Sequence, residues 1–210
     1  MMSSRKDAKA QRSAKDRKII VHIATSADGF IARKGGGIDW LDRPTPKGED
    51  YGMAAFYQSI DTILYGRKTY EVAVKFVEQG LEIPTDKSVR NYVFSRRDPP
   101  KKTLPGFEFT KQPIKKFTKR LRTQQGKNIW IMGGGKIIAS FLDTGEIDEF
   151  VINVIPVFIG EGIPLIAPRH RTIPLKLLSI KEYSDGVVKL HYAISEARPS
   201  RRTRSRKPAA

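Results

Sequence analysis

Two stretches of the chain share one arrangement, and it constrains the fold more than any other feature. In Ile63-Leu64-Tyr65-Gly66-Arg67-Lys68-Thr69-Tyr70 and in Ile129-Trp130-Ile131-Met132-Gly133-Gly134-Gly135-Lys136-Ile137-Ile138, an apolar run meets glycine and turns straight into a helical pattern. A short apolar run rich in β-branched and aromatic residues reads as a buried strand. Strands that feed helices directly belong to α/β sheets, whose ligands bind at the carboxyl ends of the strands. Glycine lets an anion approach the backbone, and the first turn of the helix offers amides and the positive end of its dipole. One such unit is equally well read as a tight turn. Two in one core favour a dinucleotide, although neither is G-x-G-x-x-G, so a Rossmann site is not indicated.

The remaining periodicity extends this pattern. Residues 19–25 (IIVHIAT) form a buried strand, followed by a loop holding Gly29, Gly35, Gly36 and Gly37. Residues 49–59 read as a helix with Met53, Phe56, Tyr57 and Ile60 on one face. Strands are expected at 62–65, 92–95, 107–110, 128–132 and 148–157, and helices at 68–76, 113–125 and 136–142. Residues 175–183 and 187–194 flank Ser184-Asp185-Gly186, a hairpin signal. The expected fold is a mixed, mostly parallel α/β sheet with flanking helices and an antiparallel C-terminal hairpin.

The chain has 210 residues, which favours one main domain. It has no cysteine, which excludes disulfides, thiolate metal sites and cysteine nucleophiles. Its three histidines are far apart and no metal-ligand spacing occurs, so no metal is expected. The longest apolar run, 150–160, is far shorter than the roughly 20 residues a bilayer requires.

The formal charge of +17 is unevenly placed. Residues 1–18 carry seven Lys/Arg and two Asp, residues 196–210 six Lys/Arg and one Glu, and residues 96–127 eleven Lys/Arg and two acids. The two ends hold no apolar run and are expected to be disordered basic tails around a domain at 19–195. Nonspecific nucleic-acid contact through the tails and the basic 113–125 helix is the alternative to solvated, solubilising charge. No secretory h-region precedes Ile19, and a cytoplasmic location is expected.

Charge also bears on which dinucleotide. Arg67 and Lys68 open the first unit's helix, and Ser95 and Arg96 follow another strand. Guanidinium groups at a strand end suit a phosphomonoester dianion, which favours NADPH over NADH. Hydride transfer leaves the reactive carbon to the cofactor and asks the protein for position and exclusion of water. Reduction of a C=N or C=O group needs a proton as well, and Asp28 and Asp50 are the candidate catalytic acids. Asp28-Gly29 is also a common turn pair, and an acid at 50 is an ordinary helix cap.

These residues resemble a known family. Ser26-Ala27-Asp28-Gly29-Phe30-Ile31-Ala32, Ile38-Asp39-Trp40-Leu41, Gly66-Arg67-Lys68-Thr69-Tyr70-Glu71, Gly133-Gly134-Gly135, Ile147-Asp148-Glu149 and the segment 156–164 (PVFIGEGIP) resemble, in this order, the RibD C-terminal domain family of the dihydrofolate-reductase-like superfamily. The resemblance covers about residues 18–195. It implies a central sheet of about eight strands and NADPH as hydride donor. It implies Ala24 and Ile31 beside the nicotinamide, and Gly66, Arg67, Lys68 and Thr69 at the adenosine phosphates. Ser95 and Arg96 would lie at the 2′-phosphate, with Gly134, Gly135, Lys136 and Ile137 at the pyrophosphate beside Gly133.

The implied activity is reduction of a small heterocycle by a homodimer. The substrate could be 5-amino-6-(5-phosphoribosylamino)uracil of riboflavin biosynthesis, reduced without the zinc deaminase domain that accompanies the bifunctional enzyme. The resemblance puts Phe56 and Glu161 near the substrate with Asp28 and Asp50, and a substrate phosphate could be met by Arg33 or Lys34. Folate reductases place a carboxylate four residues before the phenylalanine that corresponds to Phe56. That position is Gly52 here, so dihydrofolate reduction is the weaker alternative.

Overall fold

The computed structural model describes residues 17–80 and 88–195. The tails expected at 1–18 and 196–210 lie outside these residues, apart from Arg17 and Lys18. The elements run β1 (Ile19–Ser26), β2 (Phe30–Ala32), a 3-10 turn (Asp39–Leu41), α1 (Met53–Gln58), β3 (Ile60–Gly66), α2 (Arg67–Glu78), β4 (Arg90–Phe94) and β5 (Phe107–Thr110). There follow α3 (Ile114–Arg122), β6 (Asn128–Gly133), α4 (Gly135–Asp143), β7 (Glu149–Ile155), β8 (Ile163–Pro164), β9 (Leu175–Glu182) and β10 (Val188–Ile194).

Eight strands form one sheet in the order β5-β4-β3-β6-β1-β7-β10-β9. Pairings from β5 through to β7 are parallel, and β10 is antiparallel to both β7 and β9. This is the expected mixed, mostly parallel sheet with its C-terminal hairpin. Strand periodicity sends alternate side chains to opposite faces. Leu64, Ile129 and Ile131 pack with Phe117, Leu121, Ile138 and Phe141 of α3 and α4. Ile63, Tyr65 and Trp130 face the other way, towards Tyr70 of α2 and Phe56 of α1. Burial on both faces explains why these strands read as continuous apolar runs.

Three local outcomes differ from the sequence expectation. The 49–59 helix is shortened to α1, because Tyr51 and Gly52 have positive φ (54° and 76°) and form a turn ahead of it. The pairing of β2 with β8 was not foreseen, since strands of three and two residues carry no periodicity. The assignment of Arg17 and Lys18 to the basic tail is corrected. The Arg17 side chain is 1% exposed, donates to Lys127 O (2.7 Å) and Leu121 O (3.1 Å), and is ion-paired with Asp61. Gly126 leaves room for it, since a Cβ there would collide with the Asp61 carboxylate and crowd the guanidinium. Among the described residues, no helix is long and apolar enough to cross a membrane.

Candidate functional site

The two strand–glycine–helix units end up side by side, because β3 and β6 are sheet neighbours with Tyr65 opposite Gly133. A Cβ on Gly66 would lie 3.3 Å from Ile137 Cγ2, and one on Gly134 would lie 3.5 Å from Thr69 Oγ1 and 3.6 Å from Ile31 Cδ1. Gly66 caps α2 and Gly134 caps α4. Two helix N-termini therefore open onto one edge of the sheet, with Ile31 of β2 beside them. This edge is the carboxyl end of a parallel sheet, and its paired amides and dipoles suit a diphosphate. Gly133 has φ +130°, and the Gly133–Gly134 peptide is cis.

Gly135 has a separate structural reason for lacking a side chain. A Cβ there would collide with the carbonyl of Pro164, and its own carbonyl accepts from Ala167 N (3.0 Å). Lys68 and Lys136 are exposed at their helix starts.

A basic cluster stands at the end of β4. Arg67 Nη1 donates to Ser95 Oγ (3.3 Å) and to Asp98 O (2.7 Å), and its Nε donates to Glu71 (2.9 Å). Arg97 Nη2 lies 3.9 Å from the same Glu71 oxygen. Arg67 and Ser95 thus meet, Arg96 is exposed, and Arg97 joins a group in which the sequence did not single it out. A dianion entering here would compete with Glu71 for two guanidinium groups.

On the far side of β1 lies a cavity of about 240 Å³, lined by Ile23 and Ala24 of β1, Asn153 of β7, and Arg43, Asp50 and Tyr51 from the turns before α1. Beneath it, the ring of Phe56 stands edge-on to His22 (4.3 Å) and to Trp130 (5.5 Å), and Trp130 Nε1 donates to His22 O. Burial, with Lys189 and His191 nearby, pushes the His22 pKa down to about 4, so the ring is neutral. Its Nε2 is 3.2 Å from Asn153 Nδ2. Histidine 22 and Asn153 come from strands separated by 131 positions, and only the parallel register joins them.

The two candidate acids are held as carboxylates. Asp50 accepts from the amides of Ala54 (2.8 Å) and Gly52 (2.7 Å), which lowers its pKa. Asp28 accepts from the Ser26 hydroxyl (2.5 Å) and from the Gly160 (2.7 Å) and Ile159 (3.2 Å) amides, which lowers its pKa as well. Asp28 therefore pins the 156–162 loop to the β1–β2 turn. Glu161 in that loop is exposed and pairs with Lys34, while Arg33 is held by Asp39 in a bidentate pair (Nε–Oδ1 2.8 Å, Nη2–Oδ2 2.8 Å). A substrate phosphate reaching Arg33 or Lys34 would compete with these exposed carboxylate partners.

Gly52, which the sequence resemblance matches to the folate reductases' carboxylate position, is approached from another strand. A Cβ on Gly52 would lie 2.7 Å from Lys189 Nζ, so an ammonium from β10 stands there. The basic helix α3 borders an open hollow lined by Lys115, Lys119, Arg122, Thr123 and Glu146. Arg122 reaches the residue before β1's lead-in, Arg17 O (3.0 Å), which puts this hollow at the amino end of the sheet, away from the glycine loops.

Comparison with known proteins agrees with this architecture. The RibD C-terminal domain model matches residues 17–189. The uncharacterized Bacillus subtilis proteins YwjB and YyaP are 40% and 34% identical, over 84% and 85% of this chain and 98% and 95% of theirs. A crystal structure of a Shewanella sp. PV-4 protein provisionally assigned to riboflavin biosynthesis superposes with TM-score 0.75 at 27% identity, covering 85% of this chain and 99% of that one. The deaminase/5-amino-6-(5-phosphoribosylamino)uracil reductase of Thermotoga maritima gives TM-score 0.63 at 17% identity, over 86% of this chain and 57% of that one. Dihydrofolate reductase of Enterococcus faecalis, complexed with NADP(H), gives 0.56 at 12% identity, over 85% and 97%.

Proposed function

We propose that this chain, which belongs to the RibD C-terminal domain family, is an NADPH-dependent reductase that delivers hydride to a small polar heterocycle. The observation that carries this reading is the juxtaposition of Gly66 and Gly134, two helix-capping glycines on neighbouring strands, with Thr69, Ile137 and Ile31 around them. The dinucleotide supplies the hydride when bound. The chain holds and orients the dinucleotide. The α2 and α4 termini hold the diphosphate through Gly66 to Thr69 and Gly133 to Ile137. Arg67 with Ser95, joined by Arg96 and Arg97, holds the 2′-phosphate. Ala24 and Ile31 confine the nicotinamide between the glycine loops and the cavity.

Substrate then occupies the cavity next to Ala24. Because their hydrogen bonds hold Asp28 and Asp50 as carboxylates, we assign both to positioning, Asp28 of the 156–162 loop and Asp50 of the α1 start. The proton for reduction comes from water. The substrate first in line is 5-amino-6-(5-phosphoribosylamino)uracil. The ammonium of Lys189 beside Gly52 favours it over dihydrofolate, whose ring a carboxylate would hold there.

A fluorescence titration tests the cofactor. Trp130 lies on β6 three residues before Gly133, and bound nicotinamide is expected to quench it. NADPH is expected to bind at least about tenfold tighter than NADH, and Arg67→Ala with Arg96→Ala to remove that preference by weakening NADPH alone. Equal losses for the two cofactors overturn the 2′-phosphate assignment, and no quenching by either overturns the reductase reading.

A further inference from the structure

Two cations, Arg43 and Lys189, stand at the cavity beside Ala24, each with a carboxylate nearby. Its one lining carboxylate, Asp50, already accepts from two backbone amides. Arg43 forms one wall, steadied by its donation to Asp185 O (2.7 Å) and by its ion pair with the Asp185 carboxylate (3.4 Å). Lys189 enters from β10, with Nζ beside Gly52 and 5.8 Å from the Tyr183 ring, close enough to Asp50 for its charge to help lower that carboxyl's pKa. Its strand neighbour across the β7–β10 ladder is Asn153. Asn153 is 6% exposed, and its Nδ2 is taken by His22 while its Oδ1 has no hydrogen-bond partner. A buried amide oxygen left without a donor is destabilising, so an occupant that supplies an N–H is favoured at that atom. Because His22 is neutral, its Nε2 can accept from Asn153 Nδ2.

We propose that Lys189 and Asn153 select the substrate ring by polarity. Asn153 Oδ1 accepts from a ring N–H, and Lys189 donates to the carbonyl oxygen next to it. The edge that fits both is a lactam or imide. An amino-substituted ring that protonates brings a cation towards Lys189 and has no carbonyl to accept from it, so the same pair disfavours it. This selection rests on the cavity being the substrate site of the proposed reductase. Both residues are specificity determinants and take no part in hydride transfer.

The probes are diaminouracil, which carries the imide edge, and diaminopyrimidine, which carries the amidine-like edge. Each is titrated against the full-length protein saturated with NADPH, with binding followed calorimetrically and by Trp130 fluorescence. Wild type is expected to prefer diaminouracil by at least about tenfold, since a site built around hydrogen bonds discriminates strongly against a ring of opposite polarity. Lys189→Met should reduce the preference to about threefold or less with NADPH affinity unchanged, and Lys189→Arg should restore it. Asn153→Leu should weaken diaminouracil by about tenfold. A wild type that prefers diaminopyrimidine, or a Lys189→Met protein that keeps the full preference, overturns the inference. NADPH binding with neither ring bound also overturns it while leaving the cofactor assignment intact. Ring selectivity without NADPH binding leaves it standing and removes the reductase reading.

Discussion

His22 makes the protein's stability depend on pH in a defined window. Its ring is 2% exposed, and its folded pKa of about 4 lies below the ordinary value of 6.5. Above pH 6.5 both folded and unfolded chains carry it neutral, and its contribution is complete. As pH falls towards 4 the unfolded chain takes up a proton that the folded one refuses, so stability is lost, by on the order of 3 kcal/mol. Urea denaturation between pH 7 and 4.5 should show this slope, and His22→Gln should flatten it. Matching slopes would mean that His22 titrates normally. None of this was legible in the sequence, where His22 is one polar residue inside an apolar strand. Its partners Phe56, Trp130 and Asn153 lie far along the chain, and only the register assembles them. Asp28 and Asp50 show the reverse case. Their residue type invited an acid's role, but the amides around each carboxylate depend on loop geometry that composition does not encode.

At the scale of elements, the strand–glycine–helix units were the legible part. Both strands, both helices and the glycines between them stand where apolar pattern and turn chemistry put them. What the sequence concealed is that the three glycines of the second unit do different work. Gly134 faces Thr69 and Ile31, whereas Gly135 is pressed against the backbone of residues 164–167. Gly135→Ala should therefore lower stability by about 1–3 kcal/mol, because a backbone carbonyl cannot swing aside as a side chain can. Thermal melts would measure this, and an unchanged melting temperature would show that the 164–167 segment yields. The β2–β8 pair escaped notice for a related reason. Its strands are held by neighbours: Gly162 packs on the Ala32 carbonyl, and Leu165 N donates to Gly29 O (3.0 Å).

Across the whole molecule, the charged end and the glycine end are separate. The α3 hollow opens at the amino ends of the strands, and the proposed cofactor groove lies at their carboxyl ends. The β9 edge of the sheet mixes exposed apolar and charged side chains. Every residue of β9 is exposed, among them Leu175, Leu177, Leu178 and Ile180, and β9 is the sheet edge. Exposed apolar edge strands invite pairing. If the homodimer implied by the family resemblance forms through β9, light scattering should give a dimer and Leu177→Lys with Ile180→Lys a monomer. A monomeric wild type at high concentration would refute this. The sequence showed the hairpin but not its exposure, since apolar strands at an edge and in a core read alike. The position of β1 has a consequence of its own. It is the first strand of the described fold to leave the ribosome, yet its two neighbours in the sheet, β6 and β7, begin at Asn128 and Glu149. At about 5–20 residues per second, its apolar backbone waits on the order of ten seconds with both edges open. During synthesis the strand at the centre of the sheet is the one most in need of shelter.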